Sequence, residues 1–441
     1  MRPPAKTTTV GLMFTTTAHD SGPDRRTAVA TAGLQPDPTR RTSLVAASVL
    51  ITLSAAACGS VALDVDVDDT APTATEAPST ERAVPNNASP DSTLQQRVQT
   101  ALDRSAALIP SSASQSLTIL TGDAAINVAT GDAEPDSTFR IASVTKTYTA
   151  AAVMRLVELL EIDLDDSLVE AGADPDLTDI LRRDDYAVEE ITVAQLLNHT
   201  SGLADYADNA ADAADGPFKD AVIADPLRAW TPSDQIEFAV DHHDPVGAAG
   251  EQYFYSDTGY VLLGTIVEEH TGLDYAGGMR HLLRFDDLGL ENTYVEKLED
   301  PRDGPAGRVS QYLGPILMDD FDPSFDLFGG GGIVANTDDI AGFYRALGRG
   351  EVFDDGSTFD VMTSLQAPAP APDARGGVVA GKIDGVDCWY HTGFWGVLAL
   401  TCPDVDLTIA HTINQADPGD QWDVELLMSE IIEATGAIPG S

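Results

Sequence analysis

Ser143 stands three positions before Lys146 in the stretch FRIASVTKTYTAAAVMRLVELL, residues 139–160. A serine hydroxyl is a poor nucleophile until a base takes its proton, and a spacing of one helical turn puts both side chains on one face. If Ser143 opens the helix, its hydroxyl also feels the positive end of the helix dipole. A plainer reading fits the same residues: Ser143 as an N-cap and Lys146 as a first-turn surface charge, since a bare Ser-x-x-Lys arises often by chance. The residues that follow argue for burial. Tyr148, Ala152, Leu156 and Leu159 make one apolar stripe and Val153, Val157 and Leu160 a second. A helix apolar almost all round is buried, which places Lys146 at an interior, water-poor end.

Two further stretches follow in order, YFYSDTGY at 253–260 and WYHTGFWG at 389–396. With these three motifs the chain resembles the serine β-lactamase-like family of class C β-lactamases, D-alanyl-D-alanine carboxypeptidases and related esterases. That family carries Ser-x-x-Lys, Tyr-x-Asn, and Lys or His-Thr-Gly. ITVAQLLNHTSGL at 191–203 and GGGGIVANTDDIAGF at 329–343 add to the likeness, which covers about residues 92–435. The resemblance implies that Ser143 is the acylated nucleophile, with Lys146 and the Tyr255 phenol sharing the proton transfer. It makes the backbone N–H groups of Ser143 and Phe394 an oxyanion hole. It also makes His391, Thr392 and Gly393 a strand edge that lines the substrate and receives its carboxylate. Taken singly, Tyr255 reads as a core or rim aromatic and His391 as an ordinary strand histidine. The implied mechanism needs no cofactor and no metal, and a Ser-His triad with His199 is not required; His199 reads as a packing or turn residue. His242-His243 lacks a third ligand at a recognisable spacing.

The sequence departs from the pattern at the second motif, where Asp257 replaces asparagine. An amide donates and accepts, whereas an ionised carboxylate only accepts, and a carboxylate near Lys146 favours the charged ammonium. Asp257 is therefore protonated in the cleft, or Tyr255 acts as base beside a cationic Lys146, or the substrate presents a donor there. The third motif has His391, as the carboxypeptidase branch often does, followed by Phe394-Trp395, aromatics able to narrow the cleft or wall an acyl group. Cys388 and Cys402 flank this motif and face each other if the turn centres near Trp395, so a disulfide is expected in an exported protein. The glycines 329–332 lack a phosphate-loop ending and read as backbone turning tightly near the cleft.

The elements that position these residues follow from pattern. Order begins near Ser92, which with Gln95 makes a capping box ahead of a helix. SLTIL and AAINVAT are strands joined at Gly122-Asp123. Helical pattern dominates residues 141–345; GGVVAGKI, DCWYHT, WGVLALTC and VDLTIAHTI then read as strands, and 422–435 as a last helix. The expected fold is α+β: an antiparallel sheet built from both termini with flanking helices, plus a large mostly helical insertion. The hydrolase domain spans 91–438, with a sheet lobe at about 91–140 and 346–438 and a helical lobe at about 141–345.

The rest of the chain bears on location and partners. Residues 40–60, RRTSLVAASVLITLSAAACGS, carry a basic pair, a short apolar run and three alanines before Cys58. They resemble a bacterial lipoprotein signal in which Cys58 is lipidated, and the run is too short for a comfortable membrane span. Residues 1–58 are thus expected to direct export, 59–90 to form an acidic, Pro- and Thr-rich tether, and the protein to sit outside the cytoplasm on a lipid anchor in the membrane. Acids number 71 against 25 Lys and Arg, a formal net charge of -46. Such a chain lacks the basic footprint of nucleic-acid binding and suits high salt. The partner expected is a small peptide, β-lactam or ester.

Overall fold

In the computed structural model, residues 90–436 are described apart from 111–112, 208–215, 369–370, 372, 384 and 417–423. The export segment with Cys58 and the tether up to residue 89 lie outside the described residues.

Strands β1 (Gln115–Thr121) and β2 (Ala124–Thr130) form a hairpin near the start. Short strands follow: β3 (Phe139–Arg140), β4 (Tyr294–Val295), β5 (Tyr312–Leu313), β6 (Ile316–Leu317) and β7 (Ile333–Ala335). Then come β8 (Val379–Ile383), β9 (Val386–Gly393), β10 (Val397–Cys402) and β11 (Leu407–Thr412). The main sheet runs β2-β1-β11-β10-β9-β8 with every neighbour antiparallel, so residues from both ends of the described span meet where β1 pairs with β11. This is the α+β architecture expected from the sequence.

The helices are α1 (Pro90–Ala106), α2 (Thr145–Glu158), α3 (Pro175–Arg183), α4 (Val193–Leu197), α5 (Pro217–Ala224), α6 (Pro232–His242), α7 (Asp257–Thr271), α8 (Tyr275–Leu283), α9 (Thr337–Gly348), α10 (Ser357–Ser364) and α11 (Val424–Thr435). Helix α1 begins at Pro90, so Ser92 lies inside the helix and not ahead of it as its cap. Proline at the first position costs nothing there, because its missing N–H has no intrahelical partner.

The inner strands β10 and β11, and β1 up to Ile119, are buried on both faces. Leu117 and Ile119 of β1, Leu398 and Leu400 of β10, and Ile409 of β11 join Val98, Leu102, Leu427 and Ile431 of α1 and α11 in one core. The alternate residues point the other way: Thr118 bonds Thr337 of α9 at 2.8 Å, and Val397, Ala399 and Ala410 enter the larger core.

Helix α2 runs through the larger core. Its residues from Thr145 to Leu156 are all buried, packed by α7, α8 and α10. Tyr148 stacks on Phe343 at 3.7 Å between ring centroids and meets Phe285 edge-on. A helix this deep holds threonines only if their hydroxyls are bonded. Thr147 reaches the Tyr344 hydroxyl and the Gly377 carbonyl, each at 2.7 Å; Thr149 reaches the Tyr275 hydroxyl and the Gly329 carbonyl, each at 2.8 Å. These bonds tie α2 to the segments that line the site.

Candidate active site

Ser143 does not open α2. It is the middle residue of a 3₁₀ turn, Ala142–Val144, and α2 starts two residues later at Thr145. Ala142 takes φ 46°, in the left-handed region that costs a β-carbon about 1 kcal/mol. The turn leaves Ser143 half-buried between fully buried neighbours.

Lys146 is completely buried. Its Nζ donates to Ser143 Oγ at 3.1 Å and to the Gly330 carbonyl at 2.7 Å, and pairs with the Asp257 carboxylate. It also lies over the rings of Tyr255 and Tyr260, 5.0 and 5.7 Å from their centroids. An ammonium needs donors' partners on every side to survive such burial, and a carboxylate, a carbonyl, a hydroxyl and two ring faces supply them. The Gly330 carbonyl is there because of the glycine run. Gly329 has φ 122° and Gly332 φ 103°, and a β-carbon on Gly329 would strike the Tyr260 carbonyl.

Tyr255 and Asp257 straddle the start of α7. Tyr255 is 9% exposed and stacks on His199 with centroids 4.3 Å apart. His199, at φ 59°, accepts the Ser256 N–H on Nδ1 at 3.1 Å, and its carbonyl accepts the Phe254 N–H at 2.8 Å. Burial, then the nearby Lys146 charge, holds its imidazole well below the usual range, so it is neutral at pH 7. His199 therefore props the second motif, the packing role expected of it.

Strand β9 brings in the third motif. Gly393 sits so close to the Ile141 carbonyl that a β-carbon would collide, which seats the end of β9 against the Ser143 turn. On its other side β9 pairs with β8 only from Val386 to Tyr390, so His391, Thr392 and Gly393 run past the last paired residue of β8. His391 is 4% exposed, with Nδ1 2.7 Å from the Thr392 carbonyl. Burial, then Lys146, pushes its imidazole down to about 3. It is neutral at pH 7, and whatever this edge does for a carboxylate rests on hydrogen bonds and not on an imidazolium. Phe394 is 40% exposed beside the Ser143 turn, whereas Trp395 is buried in the core. Of the two aromatics, only Phe394 is free to wall the cleft. A disulfide joins Cys388 and Cys402, across a hairpin whose register pairs Val397 with Gly393 and so centres the turn on Trp395.

Two acids escaped the sequence reading. Asp205 is 3% exposed, and its Oδ1 accepts the Asp257 N–H at 3.0 Å. Burial, then the Asp257 charge, raises it to about 7. Asp326, half-buried against Gly331, is raised to about 7 by burial and then by Asp257. Neither stands at a recognisable spacing from the three motifs; both arrive through loop packing. His242 stacks on Phe238. Among the described residues, no group of three or more His, Cys, Asp or Glu is placed to hold a metal ion.

The geometry thus gathers a half-buried serine hydroxyl, a buried lysine, a phenol and the end of strand β9, the parts of a nucleophilic acyl-transfer site. Comparison with known proteins agrees. Residues 117–427 match the Beta-lactamase family. Penicillin-binding protein 4 of Amycolatopsis lactamdurans is 32% identical over 161 residues, 36% of each chain. The chain spans between about a third and a half of the length of the curated relatives it matches. Among solved structures, a D-stereospecific amidohydrolase from Streptomyces sp. superposes with a TM-score of 0.64 at 26% identity, covering 80% of this chain and 99% of that one. A D-amino acid amidase from Ochrobactrum anthropi gives 0.61 at 23% identity over 78% and 98%, a likeness of fold. The chain belongs to the Beta-lactamase family of serine β-lactamase and penicillin-binding-protein-like hydrolases.

Proposed function

We propose that this protein is an exported, lipid-anchored serine hydrolase that forms an acyl-enzyme at Ser143 and cleaves small peptides in the manner of a D-alanyl-D-alanine carboxypeptidase. The observation that carries the reading is the 3.1 Å contact between Lys146 Nζ and Ser143 Oγ at the end of a fully buried lysine. The likeness to an amidohydrolase named D-stereospecific supports an amide bond after a D residue as the target. Export and anchoring at Cys58 rest on the signal-like stretch at 40–60.

The Asp257 ion pair favours a cationic Lys146, which leaves Tyr255 as the base. Its phenolate takes the Ser143 proton as Oγ attacks the carbonyl carbon. The tetrahedral oxyanion is received by the N–H groups of Ser143 and Phe394, on segments that Gly393 holds together. Collapse breaks the C–N bond, the tyrosine returns the proton to the departing amine, and water then hydrolyses the serine ester.

The same Asp257 substitution supports a second reading, a cell-wall peptide-binding protein with disabled chemistry. Incubation with a fluorescent penicillin, a p-nitrophenyl ester and a D-alanyl-D-alanine peptide, followed by intact mass, separates them. Label or turnover in wild type and none in Ser143→Ala is expected. A wild type that takes no label and turns over none of the three, from low to high salt, overturns the hydrolase reading in favour of the binding one. Turnover of the ester or β-lactam without the peptide makes the enzyme an esterase or β-lactamase instead.

A further inference from the structure

The start of α7 is capped from outside. Ser256, its N-cap, makes no side-chain bond to the helix; its hydroxyl donates instead to the Ala204 carbonyl at 3.0 Å. The first helical N–H, that of Asp257, is left for another acceptor, and Asp205 Oδ1 takes it at 3.0 Å. The same oxygen accepts the Ala207 N–H at 3.1 Å, and Tyr206 donates its N–H to Thr258 Oγ1 at 3.0 Å. Residues 204–207 and 256–258 are thus laced together directly behind the Asp257 carboxylate that pairs with Lys146.

We propose that Asp205 is a positioning residue for acylation: it fixes the Asp257 backbone where the carboxylate meets Lys146, and its own charge tunes the proton-accepting group of the site. The inference rests on the function proposed above. The charged groups around Asp205 are Asp257 on α7 and Lys146 on α2, while Asp326, from the segment before the glycine run, acts on the same Asp257. His199, on the same loop, is neutral.

The effect has one direction whichever group is the base. An ionised Asp205 favours the ammonium of Lys146 over the amine, and it disfavours the phenolate of Tyr255. Each raises the pH at which the base becomes competent. Asp205 is raised to about 7 by burial and then by Asp257, so it carries its charge above that pH. Removing its charge while keeping its acceptor oxygen moves the limb to lower pH.

The test measures the rate of Ser143 acylation by a fluorescent penicillin and by a p-nitrophenyl ester between pH 5 and 10, in wild type, Ser143→Ala, Asp205→Asn and Asp205→Ala. Asp205→Asn keeps an oxygen for the Asp257 N–H and is expected to shift the rising limb down by about one pH unit, roughly tenfold in rate at a fixed pH on that limb. Asp205→Ala, which loses the acceptor as well, is expected to acylate at least tenfold more slowly at every pH. If Asp205→Ala does not fold, the Asp205→Asn profile decides alone. Wild type labelled and an Asp205→Asn profile that superimposes on it, or moves up in pH, overturns the role of Asp205 and leaves the hydrolase reading standing. Wild type that is unlabelled by either reagent and does not turn over a D-alanyl-D-alanine peptide overturns both.

Discussion

Lys146 and Asp257 form an ion pair inside the protein, their side chains 0% and 6% exposed, with the lysine's remaining contacts on Ser143 Oγ and the Gly330 carbonyl. Removing one partner of such a pair leaves the other charge buried and uncompensated, which costs about 3–5 kcal/mol. Asp257→Ala is therefore expected to lower the unfolding free energy by an amount in that range, read by denaturant titration. Asp257→Asn restores the family's residue at little cost in volume. It is expected to fold, and to move the alkaline-rising limb of acylation to lower pH, because the base loses an adjacent anion. An unchanged pH profile would show that the carboxylate does not govern the base.

Lys146→Ala is expected to reduce acylation by at least about a hundredfold, because the Tyr255 phenolate loses the cation beside it, while Ser143→Ala removes the covalent label altogether. A Lys146→Ala enzyme that still labels at wild-type rate would assign the ammonium to structure alone.

Stability against pH tests the buried acid. The Asp205 carboxyl is raised from 3.8 to about 7 in the fold, so between those values the native state binds more protons than the unfolded chain. Stability from this group is therefore full at low pH and falls as pH rises from about 4 through about 7. Asp205→Asn does not titrate, so its melting temperature relative to wild type is expected to climb across that window and level off above it. Thermal melts from pH 4 to 8 check this, and a flat difference would place the Asp205 pKa elsewhere. Buried His391 and His411, both lowered to about 3, act with the opposite sign: they stabilise above about 6.5 and lose that contribution as pH falls. The difference melt cancels them.

Gly393 gives a prediction with a steric cause. A β-carbon there meets the Ile141 carbonyl and pushes β9 away from the Ser143 turn. Gly393→Ala is expected to lower kcat for acylation about a hundredfold, since a shift near 1 Å misplaces the oxyanion donors proposed above, the Ser143 and Phe394 N–H groups. Steady-state kinetics with the p-nitrophenyl ester measure it.

The disulfide between Cys388 and Cys402 closes a loop with a sequence separation of 14 around the third motif. Cys388→Ser with Cys402→Ser is expected to cost about 2–4 kcal/mol in unfolding free energy, and a reducing agent to lower the wild-type melting temperature by a similar effect. Equal melting with and without reductant would contradict it.

The sequence by itself determined the three motifs, their order, the strands at both ends and the burial of the helix after Lys146 as far as Leu156, because these are local patterns of period and spacing; Leu159 and Leu160, the last residues of its apolar stripes, lie past the helix end and are exposed. It also pointed to Asp257 as the unusual residue. Placing Ser143 on a 3₁₀ turn before α2 required the structure, since the left-handed Ala142 is imposed by neighbouring segments and not by alanine's own preference. The neutrality of His391 likewise follows from burial and from a lysine 245 positions away in sequence. Asp205 and Asp326 are two among many acids in this chain, and nothing in their neighbours sets them apart. Only the packing of their loops against α7 and the glycine run buries Asp205, half-buries Asp326 and raises both carboxyls to about 7.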